Sequence, residues 1–552
     1  MMKEYISEIL HEAVQLLGKD AGVPAENLPS AVIGLPKAPE HGDYTSSVSF
    51  SLTKIFKKNP VEIGRALKEK ITDSRGMLEK IDATSGHLNF FLTQAVYMKA
   101  LREIDANARN FLKQDIGKGQ KILLEFVSAN PTGPLHVGHG RGAILGDTIT
   151  RVLLFCGYNV TKEYYVNDAG SQVMSFAKSV AQSYFRLYGI DKEGGEYKGE
   201  YVDSLSKEIR DDSGDKYVNK PYEMVVNEFC RIAVGMMLVH IRNDLKALGI
   251  EMDSWSSEKD LYKTGRVDRV IEELKNKSDT YTEEDALWFS SSRYGDDKNR
   301  VLIRAGGEKT YFASDIAYHI GKFDRGYVQL INIWGADHHG YLPRIKAAIM
   351  ALNRNPDALK VIFVQMVSLS RDGIPVQMSK RSGEFVTIRE LVDEVKSDAT
   401  RFFFLMRDAG ASLNFDIELA KKQSVENPVY YIQYAHARIC SVFRETASAG
   451  ITLPDAAGTK LELLKLPDEK LIIWSILHFR DEIERAASTL EVHNISYYLL
   501  ALANYFHSYY NKCRIINEDR HLTDARLVLV KCVKEILREG LALLGISAPE
   551  RM

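Results

Sequence analysis

Between residues 121 and about 390, short apolar runs of strand length, KILLEFVSA, YVQLINIWGA and KVIFVQMVSL, alternate with stretches of helical spacing. This alternation constrains the fold more than any other feature. A strand that is apolar throughout must be covered on both faces, and crossover helices between parallel neighbours do that. An α/β architecture with a doubly wound, Rossmann-like parallel sheet is therefore expected over 116–390, starting at the polar break KGQ, 118–120. The charged, mostly helical stretch from about 172 to 280, which includes YKGEYVDSLSKEIRDDSGDK, reads as a helical insertion between the halves of the sheet. Residues 1–115 combine helical periodicity with the strand-like GHLNFFLT, the pattern of a small α+β unit. Beyond 390, amphipathic runs such as NPVYYIQYAHARICSVFRETA and LVLVKCVKEILREGLALLG predict an all-α bundle over 391–552.

A chain of 552 residues exceeds what one core organises, so several domains are expected. A hydrophobic fraction of 45% with 26% charged residues excludes a disordered or fibrous chain, and a net charge of −2 gives no electrostatic sign of a polyanionic partner. The five cysteines are scattered without a CxxC pair, which argues against a zinc site. The opening MMKEYISEILHEAVQLL has acidic residues every few positions and reads as an amphipathic surface helix, not a secretory signal. With no apolar run near the roughly 18 residues that span a bilayer, the expectation is a cytoplasmic protein with no membrane partner.

Within LLEFVSANPTGPLHVGHGRGAILGDTITRVLLFCGY, a buried strand leads through a turn set by Pro131, Gly133 and Pro134 into a helix that starts near His136. Ile144, Leu145, Ile149, Val152 and Leu153 give that helix a core-facing side. His136 and His139 fall one turn apart at its amino end, where unpaired N–H groups and the helix dipole favour an anion. Gly138 and Gly140 leave space for a flat ring or a phosphate to approach the backbone. Two alternatives stand beside a phosphate site. The histidines could ligate a metal, although no nearby carboxylate or cysteine completes a set, or they could be satisfied core residues. GHGRG lacks the third glycine of a dinucleotide fingerprint, because Ala143 stands there.

HVGH after a strand resembles the HIGH signature of class I aminoacyl-tRNA synthetases, and VQMSKRSGEFV at 376–386 is similar to their KMSKS loop. The resemblance implies that His136 and His139 stabilise the phosphates of ATP, that Met378 and Ser379 contact ATP, and that Lys380 meets the leaving pyrophosphate. Gln377 departs from the pattern, which has lysine there. NIWGADHHGY resembles the ribose-binding turn of the class, which assigns Gly335, Asp337 and His338 to ATP. A metal at Asp337, His338 and His339 is the alternative, but adjacent histidines point apart on an extended chain.

EHGDYTSS, SANPTGPLHVGHGRG, YYVNDAG, YFASDIAYH, WGADHHGY and the closing ISAPERM resemble bacterial arginyl-tRNA synthetases across essentially the whole chain. A guanidinium asks for carboxylate acceptors in a planar arrangement. Tyr311 and Asp315, spaced i, i+4, would share a helix face, and the resemblance implies that they bind the arginine side chain together with Glu258 and Asn130. It further implies an arginine–tRNA ligase that takes ATP with Mg²⁺, arginine and tRNA(Arg), with no zinc and no metal ligands on the protein, acting as a monomer. Activation that needs bound tRNA belongs to the same implication. The C-terminal bundle would bind the anticodon, with Tyr431, Tyr434, Tyr509 and Met552 as contacts, and the N-terminal unit would meet the tRNA elbow through Asn89. A non-catalytic tRNA-binding paralogue, suggested by Gln377, and a smaller nucleotidyltransferase sharing HxGH are the competing readings.

Overall fold

The computed structural model describes residues 2–36, 38–376 and 386–552. At the amino end, the helix Met2–Asp20 buries Tyr5, Ile6, Ile9, Leu10, Ala13 and Val14, a spacing of three and four that gives it one apolar face. This face covers an antiparallel sheet of β1 (Tyr44–Ser46), β2 (Leu78–Thr84) and β3 (His87–Leu92), in the order β1-β3-β2. The unit rests on the C-terminal bundle: Leu477 joins its core, Lys3 pairs with Glu484 at 2.9 Å, and the Tyr44 hydroxyl donates to Asp481 at 2.9 Å.

Along the chain the next strands are β4 (Lys121–Glu125), β5 (Asn159–Val166), β6 (Ser254–Ser257), an antiparallel trio β7 (Thr280–Glu283), β8 (Ala286–Phe289) and β9 (Arg300–Ile303), then β10 (Gln329–Gly335) and β11 (Leu359–Val364). β4, β5, β6, β10 and β11 form one parallel sheet in the order β11-β10-β4-β5-β6. The order reverses direction beside β4, so the carboxyl ends of β4 and β10 open onto a crevice at the switch point. The fold is α/β with a small N-terminal α+β unit and a helical C-terminal part, as the alternation of runs requires.

Two boundaries differ from expectation. The stretch 172–280 contains β6, a strand of the central sheet, so the helical excursion between sheet strands is carried by the helices Ser171–Arg186, Glu200–Ser213 and Tyr222–Ala247. SWSS is short and polar, and its strand character comes from pairing with β5, not from its own pattern. The run KVIFVQMVSL likewise is two elements. It breaks at Gln365 and Met366, the latter 79% exposed, and resumes as β12 (Val367–Arg371) in a second sheet with β13 (Ile374–Pro375) and β14 (Leu413–Asp416).

Tyr222–Ala247 also corrects the absence of any membrane-length segment, since an 18-residue window in it has mean hydropathy 1.5. Its Val225, Val226, Phe229, Ala233, Met237 and Ile241 are buried in the main core. The last 130 residues or so form four long helices, Pro428–Ser448, Pro467–Thr489, His493–Lys512 and Arg520–Leu543, packed as a bundle.

Candidate active site

The helix Val137–Phe155 begins where the sequence places it, with His136 as its N-cap. The two imidazoles act as the capping side chains: His136 Nδ1 accepts from the Gly138 amide at 3.1 Å, and His139 Nδ1 accepts from the His136 amide at 3.3 Å. Their rings stack, with centroids 3.6 Å apart. A neutral imidazole that accepts through Nδ1 carries its proton on Nε2, so the cap selects the tautomer in which both outer nitrogens are donors. This arrangement suits an anion beyond the helix end.

Gly140 is corrected. A Cβ there would stand 2.3 Å from Ile388 Cδ1, so its missing side chain admits Ile388 and not a ligand. Ile388 follows directly after Thr387, whose backbone forms an antiparallel bridge with His136, and the Ile388 amide donates to Leu135 O at 2.8 Å. Gln377, Met378, Ser379 and Lys380 lie outside the described residues. Thr387, seven positions after Lys380 in the sequence, is thus fixed beside the histidines.

Buried arginines hold the histidine helix from behind. Arg141 donates to the carbonyls of Gln365, Asp408 and Ala411 at 2.8 to 3.0 Å, and Arg401 pairs with Asp147 at 2.8 Å while donating to Leu248 O and Leu544 O. Together they tie the helix to the β12–β14 unit and to the C-terminus.

In the crevice at the strand ends lies a cavity of about 400 Å³, lined among others by Glu125, Asn130, Glu258, Tyr311, Asp315, Trp334, Gly335, His338 and Tyr341. Larger hollows of about 650 and 700 Å³ lie elsewhere, and neither is lined by these carboxylates. All four residues expected to hold a guanidinium line the cavity. Tyr311 and Asp315 share one face of the helix Tyr311–Asp324. Asp315 accepts a hydrogen bond from the Tyr341 hydroxyl, and burial, with Glu125 and Glu258 nearby, pushes its carboxyl up to about 7. Glu258 is 1% exposed. Its Oε1 accepts from the Ser314 hydroxyl at 3.0 Å, whereas Oε2 is buried with no hydrogen-bond partner among the described residues. Burial raises its pKa as well. A buried carboxylate oxygen without a donor is costly, and Glu258 is among the residues that line the cavity, where a ligand's donor can come close. Asn130 is exposed at the mouth, donating to Gln172 Oε1 at 2.6 Å and accepting from Asn167 at 2.8 Å.

Gly335 ends β10 and His338 follows in the turn Ala336–Tyr341, both at the cavity edge, while Asp337 is exposed beside them. His338 lies against Trp334 and His339 stacks on Phe363 at 3.6 Å, so the adjacent imidazoles do diverge.

Several residues at the cavity escape the sequence reading. Glu125 ends β4 and pairs with Lys322 at 2.6 Å, Ser128 donates to Glu125 at 3.0 Å, and Tyr341 caps Asp315. Val127 and Ser128 hold positive φ values of 69° and 40°, a backbone that a β-branched residue adopts only under constraint. One signal was available: Tyr311, Asp315, Tyr318 and Lys322 recur at three and four, a polar stripe on an otherwise buried helix.

In the bundle, Tyr509 is corrected. It is fully buried, and its hydroxyl donates to Glu469 at 3.1 Å, beside Arg526, so it belongs to the core. Tyr431 and Tyr434 instead pack around His507, with Arg438 over the Tyr434 ring at 4.5 Å, on a partly open face. Met552 is 48% exposed. Asn89 lies on β3 and accepts from the Thr45 hydroxyl at 2.8 Å.

Three family models match the chain: the arginyl tRNA synthetase N terminal domain over 1–92, the catalytic domain of class I tRNA synthetases (R) over 101–412, and the DALR anticodon binding domain over 432–552. The arginine–tRNA ligase of Syntrophotalea carbinolica is 43% identical over 554 residues, covering all of both chains, and that of Desulfosudis oleivorans is 44% identical over 557 residues, again covering all of both. Among solved structures, the Thermus thermophilus arginyl-tRNA synthetase superposes with a TM-score of 0.79 at 23% identity over the full length of both chains, a shared fold.

Proposed function

The chain belongs to the arginyl-tRNA synthetase family, and from that premise we propose how its residues divide the work of an arginine–tRNA ligase. Such an enzyme joins arginine to ATP, giving arginyl-adenylate and pyrophosphate, and then passes the arginyl group to the terminal ribose of tRNA(Arg). The arginine carboxylate is the nucleophile, so the protein supplies positioning and electrostatic stabilisation.

The observation that carries the reading is the Glu258–Asp315 pair at one cavity, with one buried Glu258 oxygen lacking a partner among the described residues. Two carboxylates with Tyr311 and Asn130 around them suit the planar donors of a guanidinium. Gly335, Asp337 and His338 take the ribose of ATP, and Gly138 with the His136 and His139 donors takes its phosphates. The histidines stabilise charge at the α-phosphate, and Lys380, with Met378 and Ser379, meets the departing pyrophosphate. Support for that last role is the Thr387 bridge to His136. ATP enters as its Mg²⁺ complex, a substrate.

Residues 1–115 act as the tRNA-elbow unit, 116–390 as the catalytic domain and 391–552 as the anticodon-binding domain. Tyr431, Tyr434 and Met552 are the contacts of the last, and Asn89 of the first. The enzyme works in the cytoplasm as a monomer.

The test is exchange of labelled pyrophosphate into ATP, in the presence of tRNA, across a panel of amino acids. Arginine supports exchange, whereas lysine, glutamate and glutamine do not. Lys380→Ala lowers the exchange rate by about 10²-fold or more with arginine affinity nearly unchanged. Exchange with lysine at the arginine rate, or a Lys380→Ala variant that loses arginine binding instead of rate, contradicts the assignment.

A further inference from the structure

The floor of the cavity is charged from beneath. Lys322 has no exposed surface, and its ammonium reaches Glu125 Oε2 at 2.6 Å and Asn332 Oδ1 at 3.2 Å. An ammonium taken out of water costs several kcal/mol and persists only when paired and hydrogen-bonded. Here the pairing leads to the site by two routes. Glu125 lines the cavity directly, its second oxygen accepting from Ser128 at 3.0 Å. Asn332 donates to His319 Nε2 at 3.0 Å, and His319 Nδ1 donates to the Asp315 carbonyl at 2.8 Å. That chain requires a neutral His319, and burial, together with Lys322, pushes its pKa down to about 3.

Three carboxylates face the cavity, from Glu125, Glu258 and Asp315, and one cation stands behind them. Like charges so close cannot all stay ionised without a counter-charge, and one would take up a proton. Among the described residues Glu258 and Asp315 form no ion pair. Lys322 balances Glu125, which leaves Glu258 and Asp315 to be met by the cationic groups that arginine brings, its guanidinium and α-ammonium.

We propose that Lys322 is a positioning residue for arginine binding that acts through Glu125, pairing with one of its oxygens so that the carboxylate stays fixed and turned to the cavity that arginine enters. This rests on the reading of the cavity as the arginine site. Lys322 touches no substrate, and its influence passes through the Glu125 carboxylate.

Arginine KM, ATP KM and kcat for tRNA-dependent pyrophosphate exchange are measured for Lys322→Met, Lys322→Arg, Glu125→Gln and the double variant Lys322→Met with Glu125→Gln, after thermal melts show each is folded. Lys322→Met raises the arginine KM about tenfold or more with a smaller change in kcat, and Lys322→Arg restores most of it. Because Lys322→Met strands a buried carboxylate, the double variant melts at a higher temperature than Lys322→Met. Its arginine KM equals that of Glu125→Gln alone, since the Asn332 route ends on the backbone carbonyl of Asp315 and the carboxylate that Lys322 holds is that of Glu125. Additive effects of the two substitutions, or a fall in kcat at unchanged arginine KM, overturn the proposal. Asp315→Asn is run alongside. If it leaves arginine KM unchanged, the reading of the cavity fails; if it raises arginine KM while the Lys322 and Glu125 effects add, only the role of Lys322 fails.

Discussion

The hydroxyl of Tyr341 donates to the carboxylate of Asp315 across the wall between the turn after β10 and the helix Tyr311–Asp324. The bond favours the ionised carboxylate but does not offset burial and the neighbouring Glu125 and Glu258, which leave the pKa at about 7 instead of the usual 3.8. An acid whose pKa is higher folded than unfolded binds more protons in the native state, so between about pH 4 and 7 stability falls as pH rises. Asp315→Asn removes that term. The variant is expected to melt above the parent by a margin that widens from pH 5 to 7 and is flat above about pH 8, on the order of 4 kcal/mol at the plateau. Arginine affinity behaves oppositely. If Asp315 grips the guanidinium as proposed, binding needs the ionised form, so in the parent the arginine KM climbs as pH drops below 7, and in Asp315→Asn it is high and flat. Melts and KM values across pH 5 to 8 check both.

Gly170 precedes the helix Ser171–Arg186 at φ 88°, and a Cβ there would stand 2.5 Å from the Tyr311 hydroxyl. Gly170→Ala therefore meets two penalties, a left-handed backbone and a displaced Tyr311, together about 1–2 kcal/mol. Because Tyr311 lines the cavity, the expected result is an arginine KM raised about tenfold with ATP KM within about twofold. Tyr311→Phe combined with Gly170→Ala relieves the clash and restores part of the loss.

The bundle aromatics separate by what lies behind them. Tyr509→Phe strips a hydroxyl from buried Glu469, which keeps Arg526 at 3.0 Å, so stability falls by about 1–3 kcal/mol while tRNA KM stays put. Tyr434→Ala does the reverse. Its ring sits on the open face under Arg438, and its loss raises tRNA KM several-fold with a melting temperature close to the parent. Equal effects of the two on tRNA KM contradict the division.

The part of this site legible in the sequence is the part made by local pattern. The turn and cap around His136 are set by residues within a few positions of one another, and Tyr311 with Asp315 follows from helical spacing. What escaped was made by packing between distant segments. Lys322 pairs with Glu125 from another element, Ile388 fills the space at Gly140, and SWSS becomes a strand because β5 offers it a ladder. Tyr509 and Tyr434 look alike in a helical pattern, and only the neighbour each meets decides which is core. The break in KVIFVQMVSL has no local mark, since Gln365 and Met366 are turned out by the start of a second sheet.

His136 has two duties that substitution can separate. As N-cap it receives the Gly138 amide on Nδ1, and in the function proposed above its Nε2 donates to ATP at the positive end of the helix. Asparagine is among the best N-cap residues and receives the same amide, but it is shorter and places no donor where Nε2 stands. His136→Asn should therefore melt within about 1 kcal/mol of the parent, since the cap survives. If the outer nitrogen stabilises charge that develops only as the α-phosphate is attacked, kcat for exchange falls by about 10²–10³-fold while arginine and ATP KM move little. His136→Ala loses both duties and should add a stability loss of about 1 kcal/mol to the same fall in rate. A His136→Asn variant with near-parental kcat would mean that the imidazole serves the helix alone, and the anion site at this helix end would then depend on its backbone amides and on His139.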